Sequence, residues 1–365
     1  MKFEPFRLER WLETRPCKYN LGGGPVRPMD MLELVEKVDL VAAYPPTKGS
    51  EKLREEISEL YRHVEKDSIL VTNGTAEANF LIANWLLDEG DEVVVQIPSY
   101  QQVWGITRAI GARVKRFHLI EEEGYKPDLE ELKELVSSKT KAIFIINPNN
   151  PTGYKLSKDE TQSICDVADD VGAYVIYDEA YRGTELDGFI SPSPPEVYEK
   201  GISTTSLSKL GLPGLRIGWI VANEETVEGC WSYKDYVSLS HSKLTEKLAT
   251  IALQTKNFEK IIKRARRIIR TTLEIFSSWM ADHNEFMSWV EPTAGTVAFP
   301  RYHLHFDSVS FCEKLLKEEG ILLSPGDFFQ SPKHVRVHFA GHDEKVLTRA
   351  LDKLHTFLNR HTVAN

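Results

Sequence analysis

The residues with the clearest capacity for chemistry surround one lysine, Lys209, in the segment 206–219, which reads SLSKLGLPGLRIGW. A lysine amine that is partly desolvated and lies near another cation loses its proton more readily and can attack an aldehyde to form a Schiff base. Ser206 and Arg216 could bind a phosphate beside it, the arginine through paired hydrogen bonds. An aldehyde that carries a phosphate is pyridoxal 5′-phosphate. The alternative interpretation of this segment alone is an exposed lysine in a glycine-rich loop.

Four further motifs follow predicted strands, and in open α/β sheets ligands bind beyond the carboxyl ends of the strands. The motifs are TNGTAE at 72–77, PSY at 98–100, NPNNPTG at 147–153 and YDEAY at 177–181. If the strands lie in one sheet, these motifs meet at the same edge of it. They are therefore candidates for a single site.

Each motif has a chemical interpretation and a structural alternative. The N–H groups of 74–76 at a helix start could bind a phosphate, and two X-Pro bonds could hold Asn150 rigidly. Asp178 at a buried strand end needs a partner, for which a protonated ring nitrogen is suitable. Tyr100 could place its ring against a planar group. The alternatives are a plain strand–helix turn, a proline turn, a helix N-cap and core packing.

Apolar strands and helices alternate through the middle of the chain. Strands are predicted at 69–72, 92–97, 141–147, 173–177, 202–205 and 217–221, and helices at 50–63, 76–87 and 100–110. This pattern predicts an α/β fold with a mostly parallel sheet sandwiched by helices. Short strands mixed with helices over 286–365 predict a smaller α+β domain. We predict a large domain at 42–255 and a small domain made of 1–41 and 256–365.

The composition limits the classes of function. The 365 residues suit two domains, and 41% hydrophobic with 27% charged residues is typical of a globular protein. A net charge of −9 argues against nucleic acid or an anionic membrane as partner. No apolar run reaches the roughly 18 residues of a membrane span. The first residues do not resemble a signal peptide, and four widely separated cysteines indicate a reducing, cytoplasmic environment.

The order and spacing of the motifs resemble the fold-type I, pyridoxal phosphate-dependent class I/II aminotransferases of the aspartate aminotransferase superfamily. The resemblance runs from Leu21 to Arg336 and is carried by NPNNPTG, by DEAY and by SLSK followed by GLRIG. The stretches 211–219, 291–300 and 322–327 look most like the branch that contains capreomycidine synthase and many unassigned archaeal and bacterial aminotransferases. Seven positions separate Lys209 from Arg216 where the family usually has eight, so a tightened loop is expected between them.

The resemblance implies a role for each matching residue. Lys209 would form the Schiff base and move the substrate proton, and Asp178 would pair with the ring nitrogen. Asn150 and Tyr181 would bind the ring oxygen, and Tyr100 would stack on the ring. The resemblance also implies a set of phosphate ligands: Gly74, Thr75, Ala76, Ser206, Ser208 and Arg216.

The resemblance further implies a homodimer with shared active sites and a clamp for the substrate carboxylate. Tyr44 matches the tyrosine that reaches the phosphate of the neighbouring subunit. Arg336 would bind the α-carboxylate in a bidentate pair, with Asn150 and with Gly22 or Gly23 close to it. No metal is expected, because a metal ion at His334 and His338, the histidines on either side of Arg336, would lie beside a cation.

The implied activity is transfer of an amino group between an L-amino acid and a 2-oxo acid by a ping-pong mechanism. A lyase or a cyclase on the same scaffold is the alternative, since the same lysine and ring serve both chemistries. A regulator without turnover is disfavoured because the whole catalytic set is retained. The side-chain pocket is expected to draw on 21–25, Trp104 and 236–242, where no single charge indicates an acidic or a basic substrate.

Overall fold

An eight-stranded sheet organises the residues that the computed structural model describes, 2–35 and 41–362. The strands of the described residues are β1 (Tyr19–Asn20), β2 (Ile69–Thr72), β3 (Glu92–Ile97), β4 (Arg113–Ile120), β5 (Lys126–Pro127), β6 (Thr140–Ile146), β7 (Tyr174–Asp178), β8 (Gly201–Ser206), β9 (Gly218–Val221), β10 (Met287–Ser288), β11 (Val297–Ala298), β12 (Arg301–Tyr302), β13 (Ile321–Leu322), β14 (Ser324–Pro325) and β15 (Val335–His338). The α-helices are α1 (Arg7–Thr14), α2 (Glu51–Ser58), α3 (Thr75–Leu86), α4 (Gln101–Ile110), α5 (Leu129–Leu135), α6 (Lys158–Val171), α7 (Glu224–Lys234), α8 (Lys243–Leu253), α9 (Thr255–Ala281), α10 (Ser308–Glu319) and α11 (Glu344–Thr362).

The strand order in the large sheet is β2-β9-β8-β7-β6-β3-β4-β5. The five consecutive strands β8, β7, β6, β3 and β4 are parallel to one another, whereas β9 and β5 run antiparallel to the strands beside them. Parallel strands need crossover connections, which helices supply here. The predicted fold class, a mostly parallel sheet sandwiched by helices, is confirmed.

Helices cover both faces of this sheet, which explains why its central strands β3, β6 and β7 are mainly apolar. Val93 of β3 lies in one buried cluster with Leu81 of α3 and Val103 of α4. The next residue, Val94, lies in a second cluster with Ile164 of α6. Because successive side chains of a strand point to opposite faces, the two valines bury opposite sides of the sheet. The strands are thereby fixed in register, and their carboxyl ends form one edge.

Three small sheets occupy the remainder of the described chain, and the N-terminal segment joins them. β15 lies between β11 and β14 with both pairs antiparallel, and β10 pairs with β12. β1 pairs in parallel with β13, so that Tyr19 lies opposite Ile321. Residues from the two ends of the sequence therefore form one unit, and Arg336 lies on its central strand β15.

Helix α2 is the clearest departure from the predicted element bounds. The helix predicted over 50–63 begins after Ser50, whose side chain accepts a hydrogen bond from the Leu53 N–H. It ends at Ser58, whose hydroxyl donates to the Glu55 carbonyl at 2.8 Å. Such local side-chain bonds compete with continuation of a helix. None of the described helices combines the length and the apolar character needed to cross a bilayer.

The contact between β9 and the loop before α3 gives a test of how the sheet positions that loop. A methyl group on Gly218 would lie 2.6 Å from the Gly74 carbonyl carbon and 2.7 Å from the Thr205 carbonyl oxygen. We expect Gly218→Ala to cost about 1–3 kcal/mol of stability, because backbone atoms must move, and to lower the thermal midpoint. Gly214→Ala is the control, since no atom lies within 4 Å of its added methyl group. Equal midpoints for the two variants would contradict this view of the contact.

Candidate active site

A cavity of about 640 Å³ lies at the carboxyl edge of the large sheet and extends to β15. Its volume is in the range of small-molecule and cofactor sites. Most of the residues singled out in the sequence line it: Gly23, Thr75, Ala76, Tyr100, Asn150, Asp178, Tyr181, Ser206, Ser208, Lys209, Arg216 and Arg336. The motifs that are separated in the sequence therefore meet at one place, as the strand-end argument predicts.

Asp178, the last residue of β7, is a buried carboxylate. Its oxygens accept hydrogen bonds from Asn79 Nδ2 at 2.8 Å and from the Ala180 N–H at 3.0 Å. Burial raises the pKa of Asp178, and these two hydrogen bonds and Lys209 oppose the shift. No cation of the described residues lies within ion-pair distance of it. The site is thus suited to a cationic group that a ligand brings into the cavity.

Asn79 was not predicted as a site residue, although it orients this carboxylate. It lies on α3, one helical turn after Thr75, and its Oδ1 accepts a hydrogen bond from the Thr204 hydroxyl at 2.8 Å. That bond fixes the amide so that its nitrogen points to Asp178. The i, i+4 spacing from Thr75 is the one sequence signal that could have indicated it.

Lys209 and Tyr181 approach each other across Gly24. The Lys209 Nζ lies 5.4 Å from the centre of the Tyr181 ring. A methyl group at Gly24 would lie 2.9 Å from that nitrogen and 3.2 Å from the Tyr181 hydroxyl oxygen. The Tyr181 hydroxyl is buried and makes no hydrogen bond within the described structure. Glycine at this position therefore preserves the space in which the amine and the hydroxyl can meet a ligand.

An anion site is formed where α3 begins. Gly74 has φ +85°, and a methyl group there would lie 2.4 Å from Arg216 Nη2. The guanidinium donates to the Asn73 carbonyl at 3.1 Å, and the Thr75 hydroxyl is buried without a partner among the described residues. Free N–H groups at the start of a twelve-residue helix, together with a guanidinium, favour a phosphate.

The loop from Lys209 to Arg216 is tightened by two short 3₁₀ turns, Ser208–Leu210 and Pro213–Leu215. Gly211 and Arg216 have φ of +100° and +52°. These left-handed conformations reverse the chain within few residues. Arg216 still lines the cavity, within 3.5 Å of the Ser208 hydroxyl.

Arg336 is a buried guanidinium whose partners are uncharged. It donates to Asn150 Oδ1 at 2.9 Å and to the carbonyls of Gly22 and Gly23 at 2.7 and 3.1 Å. Its Nε has no partner, and no carboxylate of the described residues lies within 4 Å. Burial lowers the pKa of Arg336. A buried cation without a counter-ion is suited to binding an anionic ligand.

Tyr100 precedes α4 and faces the cavity, with its ring centre 5.1 Å from that of Phe6. Its hydroxyl donates a hydrogen bond to the Glu9 carboxylate. Burial, and then Glu9, raise the pKa of Tyr100 well above its usual value. Glu9 was not predicted as a site residue, and nothing in its local sequence indicates it.

Tyr44, Gly22 and Gly74 do not line the cavity. Gly22 and Gly74 lie directly behind its wall, where they contact Arg336 and Arg216. Tyr44 is 83% exposed, so its predicted contact with a neighbouring subunit stays a prediction. The expected pocket residue Trp104 lies in a different cavity, with Arg108 and Phe328.

His338, beside Arg336 in space, holds the loop that covers the cavity. Its Nε2 lies 2.8 Å from the Pro25 carbonyl oxygen, which only accepts, so the neutral ring donates. Burial, and then the nearby Arg336 and Lys209, lower the pKa of His338 to about 3. The ring therefore contributes a structural hydrogen bond in its neutral form.

Comparison with known proteins identifies the family. The model of the family "Aminotransferase class I and II" matches residues 32–354. Capreomycidine synthase of Streptomyces vinaceus is 30% identical over 91% of this chain and 88% of its own, and an aspartate aminotransferase of Thermotoga maritima is 29% identical over 87% and 83%. A crystal structure of a PLP-dependent aminotransferase from Streptococcus suis superposes with a TM-score of 0.91 at 33% identity, over 99% of both chains. The PLP-dependent cyclase OrfR also superposes with 0.91, at 28% identity over 99% and 98%.

The chain belongs to the class I and II aminotransferase family. The family predicted from the motifs is confirmed, and so is the likeness to the capreomycidine synthase branch.

His338 yields a prediction about pH. Because its pKa is lowered in the folded protein, the unfolded chain binds more protons between pH 6.5 and 3, and stability falls as the pH decreases through that window. His338→Gln keeps a donor for Pro25 but does not titrate. Between pH 7 and pH 4.5, the free energy of unfolding of this variant should therefore fall by about 2 kcal/mol less than that of the wild type. His305→Gln, at an exposed position, is the control in urea unfolding at the two pH values. A pH dependence unchanged in His338→Gln would contradict the prediction.

Proposed function

We propose that the cavity binds pyridoxal 5′-phosphate and that the protein uses it to transfer an amino group between an L-amino acid and a 2-oxo acid by a ping-pong mechanism. Family membership and the aminotransferase relatives support this activity. The observation that carries the proposal is the arrangement of charge: Lys209 lines one cavity with the buried anion Asp178 and the buried cation Arg336, and an anion site borders the same cavity.

The residues of the cavity fit this cofactor group by group. Asp178 would hold the protonated ring nitrogen, which supplies the cation that the buried carboxylate lacks among the described residues. The unpartnered Tyr181 hydroxyl and Asn150 would bind the ring oxygen, and Tyr100 would lie against the ring. The phosphate would be held by Gly74, Thr75, Ala76, Ser206, Ser208 and Arg216. When bound, the cofactor supplies an aldehyde carbon and a conjugated ring that withdraws electrons from the substrate Cα.

Lys209 is the residue that we assign to proton transfer. Its amine would hold the cofactor until the amino group of a substrate replaces it, and it would then be free beside the substrate Cα. In that position it would remove the Cα proton and return it to the former aldehyde carbon of the cofactor, two bonds away, without diffusion of a second base. The buried Tyr181 hydroxyl borders the same space at Gly24 as the amine and would help to orient it.

Arg336 would bind the substrate α-carboxylate. The incoming anion would compensate a cation that has only neutral acceptors around it, and the planar guanidinium permits a bidentate pair. The carbonyls of Gly22 and Gly23 and the Asn150 amide hold the guanidinium in one orientation. The carboxylate would therefore enter with its Cα turned toward Lys209.

The assembly and the domain division belong to the same proposal. A homodimer with shared active sites would place Tyr44, which is 83% exposed in one chain, at the phosphate of the partner.

The division at 42–255, with 1–41 and 256–365 as the small domain, is supported by the pairing of β1 with β13 and by the start of α9 at Thr255. Residues 36–40, before the first boundary, lie outside the described residues. Four free cysteines support a cytoplasmic location.

A cyclase or lyase is the second candidate, and one specific observation favours it. Relatives named capreomycidine synthase and PLP-dependent cyclase cover nearly the whole chain at 30% and 28% identity. The same anchoring lysine and carboxylate clamp would serve either reaction. The two reactions differ in whether the amino group of the substrate remains on the cofactor.

The absorption spectrum of the purified holoenzyme tests the proposed function. When L-amino acids are added one at a time without an oxo acid, we expect the band of the aldehyde form to be replaced by the stable band of the amino form. Lys209→Ala should lose covalent cofactor and turnover. A band that persists while ammonia or a cyclic product accumulates would favour the second candidate. Full turnover by Lys209→Ala would refute both.

The anion site yields a prediction about cofactor affinity. In Gly74→Ala, the added methyl group would displace the Arg216 guanidinium and remove a charged hydrogen bond, worth about 1.5–3 kcal/mol. We expect the dissociation constant of pyridoxal phosphate to rise about 10-fold or more. Gly188→Ala is the matched control, with φ +83° and its nearest contact at 3.8 Å, outside the cavity. Equal affinities of the two variants for pyridoxal phosphate would contradict the assignment of Arg216 as a phosphate ligand.

A further inference from the structure

The N-terminal helix α1 forms one wall of the active-site cavity and is firmly held there. Its buried residues Leu8 and Trp11 pack inward, and the Trp11 indole donates to the Leu323 carbonyl at 2.8 Å. The Arg7 N–H donates to Gln101 Oε1 on α4 at 2.9 Å, and its guanidinium pairs with Asp327 at 2.6 Å. The helix is therefore fixed to the large sheet and to the C-terminal part of the chain.

The face of α1 that lines the cavity combines apolar groups with one carboxylate. Phe6, directly before the helix, Glu9 and Leu12 follow one another at intervals of three residues, which places them on one side of it, and Leu8 also lines the cavity. The Glu9 carboxylate accepts a hydrogen bond from the Tyr100 hydroxyl. It takes part in no ion pair with a described residue. Glu9 can thus still bind a cation.

The charges of the cavity wall leave Glu9 without an assignment. The charged residues that line it are Glu9, Asp178, Lys209, Arg216 and Arg336. Four of these are accounted for by the ring nitrogen, the aldehyde, the phosphate and the α-carboxylate of the proposed reaction. Burial lowers the pKa of Arg336, and the negative charge of Glu9 opposes this shift. The two charges therefore interact across the cavity. What remains of the substrate to meet Glu9 is its side chain.

The geometry points to Glu9 as the residue that selects the amino donor, an amino acid whose aliphatic side chain ends in an amine or a guanidinium. This inference rests on the proposed function. The methylene groups would pack against Phe6 and Leu12, and the terminal cation would pair with the free lone pairs of Glu9. Side-chain carboxylates, as in aspartate and glutamate, would be repelled.

The test compares donors that differ only in charge. Lysine is paired with norleucine, arginine with citrulline, and aspartate is included as the acidic donor. Dissociation constants are measured on protein loaded with the amino form of the cofactor, which cannot accept a second amino group. The kcat/KM of amino transfer is measured in parallel on the aldehyde form. The lysine and arginine pairs distinguish recognition of an amine from recognition of a guanidinium.

We expect the wild-type protein to bind at least one cationic donor about 10-fold or more tightly than its neutral counterpart. Glu9→Gln keeps an acceptor for Tyr100 and should reduce this ratio to about one, with the neutral donors unchanged. Glu13→Gln is the control on an exposed position of the same helix and should retain the preference. The thermal midpoints of both variants should equal that of the wild type.

Three results would overturn the inference: a wild type without preference for cations, a preference that persists in Glu9→Gln, or an equal loss for charged and neutral donors. The last result would make Glu9 a positioning residue for Tyr100 or α1. Selective binding that depends on Glu9, without amino transfer, would support this inference while refuting the proposed function. Transfer from uncharged donors only would do the reverse.

Discussion

The active-site cavity is built around two buried, opposite charges, the Asp178 carboxylate and the Arg336 guanidinium. Neither has a counter-ion among the described residues. Asp178 is 5% exposed and Arg336 is 3% exposed. Buried charges are costly unless they are paired, and here neutral groups only orient them: Asn79 and the Ala180 N–H on one side, Asn150 and two glycine carbonyls on the other. Ligands of opposite charge would complete the pairing and offset this cost. A cationic ring nitrogen and a substrate carboxylate are suited to the two positions.

The two charges lie on different sheets, and both line the same cavity. Asp178 ends a central parallel strand, where flanking strands and helices on both faces hold it in place. Arg336 lies on β15, the central strand of a separate three-stranded sheet. The glycines at 22–24 connect the two sides, since their backbone contacts Arg336 and leaves room for Lys209. The Lys209 amine lies beside these glycines.

Substrate choice in this family must depend on residues outside the shared cofactor site. Relatives named for aspartate transamination and for capreomycidine synthesis match this chain at 29% and 30% identity, so overall similarity does not select a substrate. Helix α1 supplies part of the cavity wall and lies before the segment 32–354 that the family model matches. The residues of such a segment can differ between relatives while the sheet edge and its charged residues stay the same. Substrate specificity can therefore change without a change in the reaction.

The sequence by itself determined the fold class, the family and most residues of the cavity. The fold class follows from the alternation of strands and helices, and the family follows from the order of the motifs. The cavity residues could be predicted because most of them lie within a few positions of a strand end. Asp178, Thr75 and Lys209 are placed by the local strand, turn or helix, and local order is readable from spacing. Only the tertiary structure decided contacts between distant segments. Asn79 meets Asp178 across 99 positions, Glu9 meets Tyr100 across 91, and Arg336 meets Asn150 across 186. Such contacts depend on how separate elements pack, and a glutamate on an exposed helix face carries no local signal of the cavity that it lines.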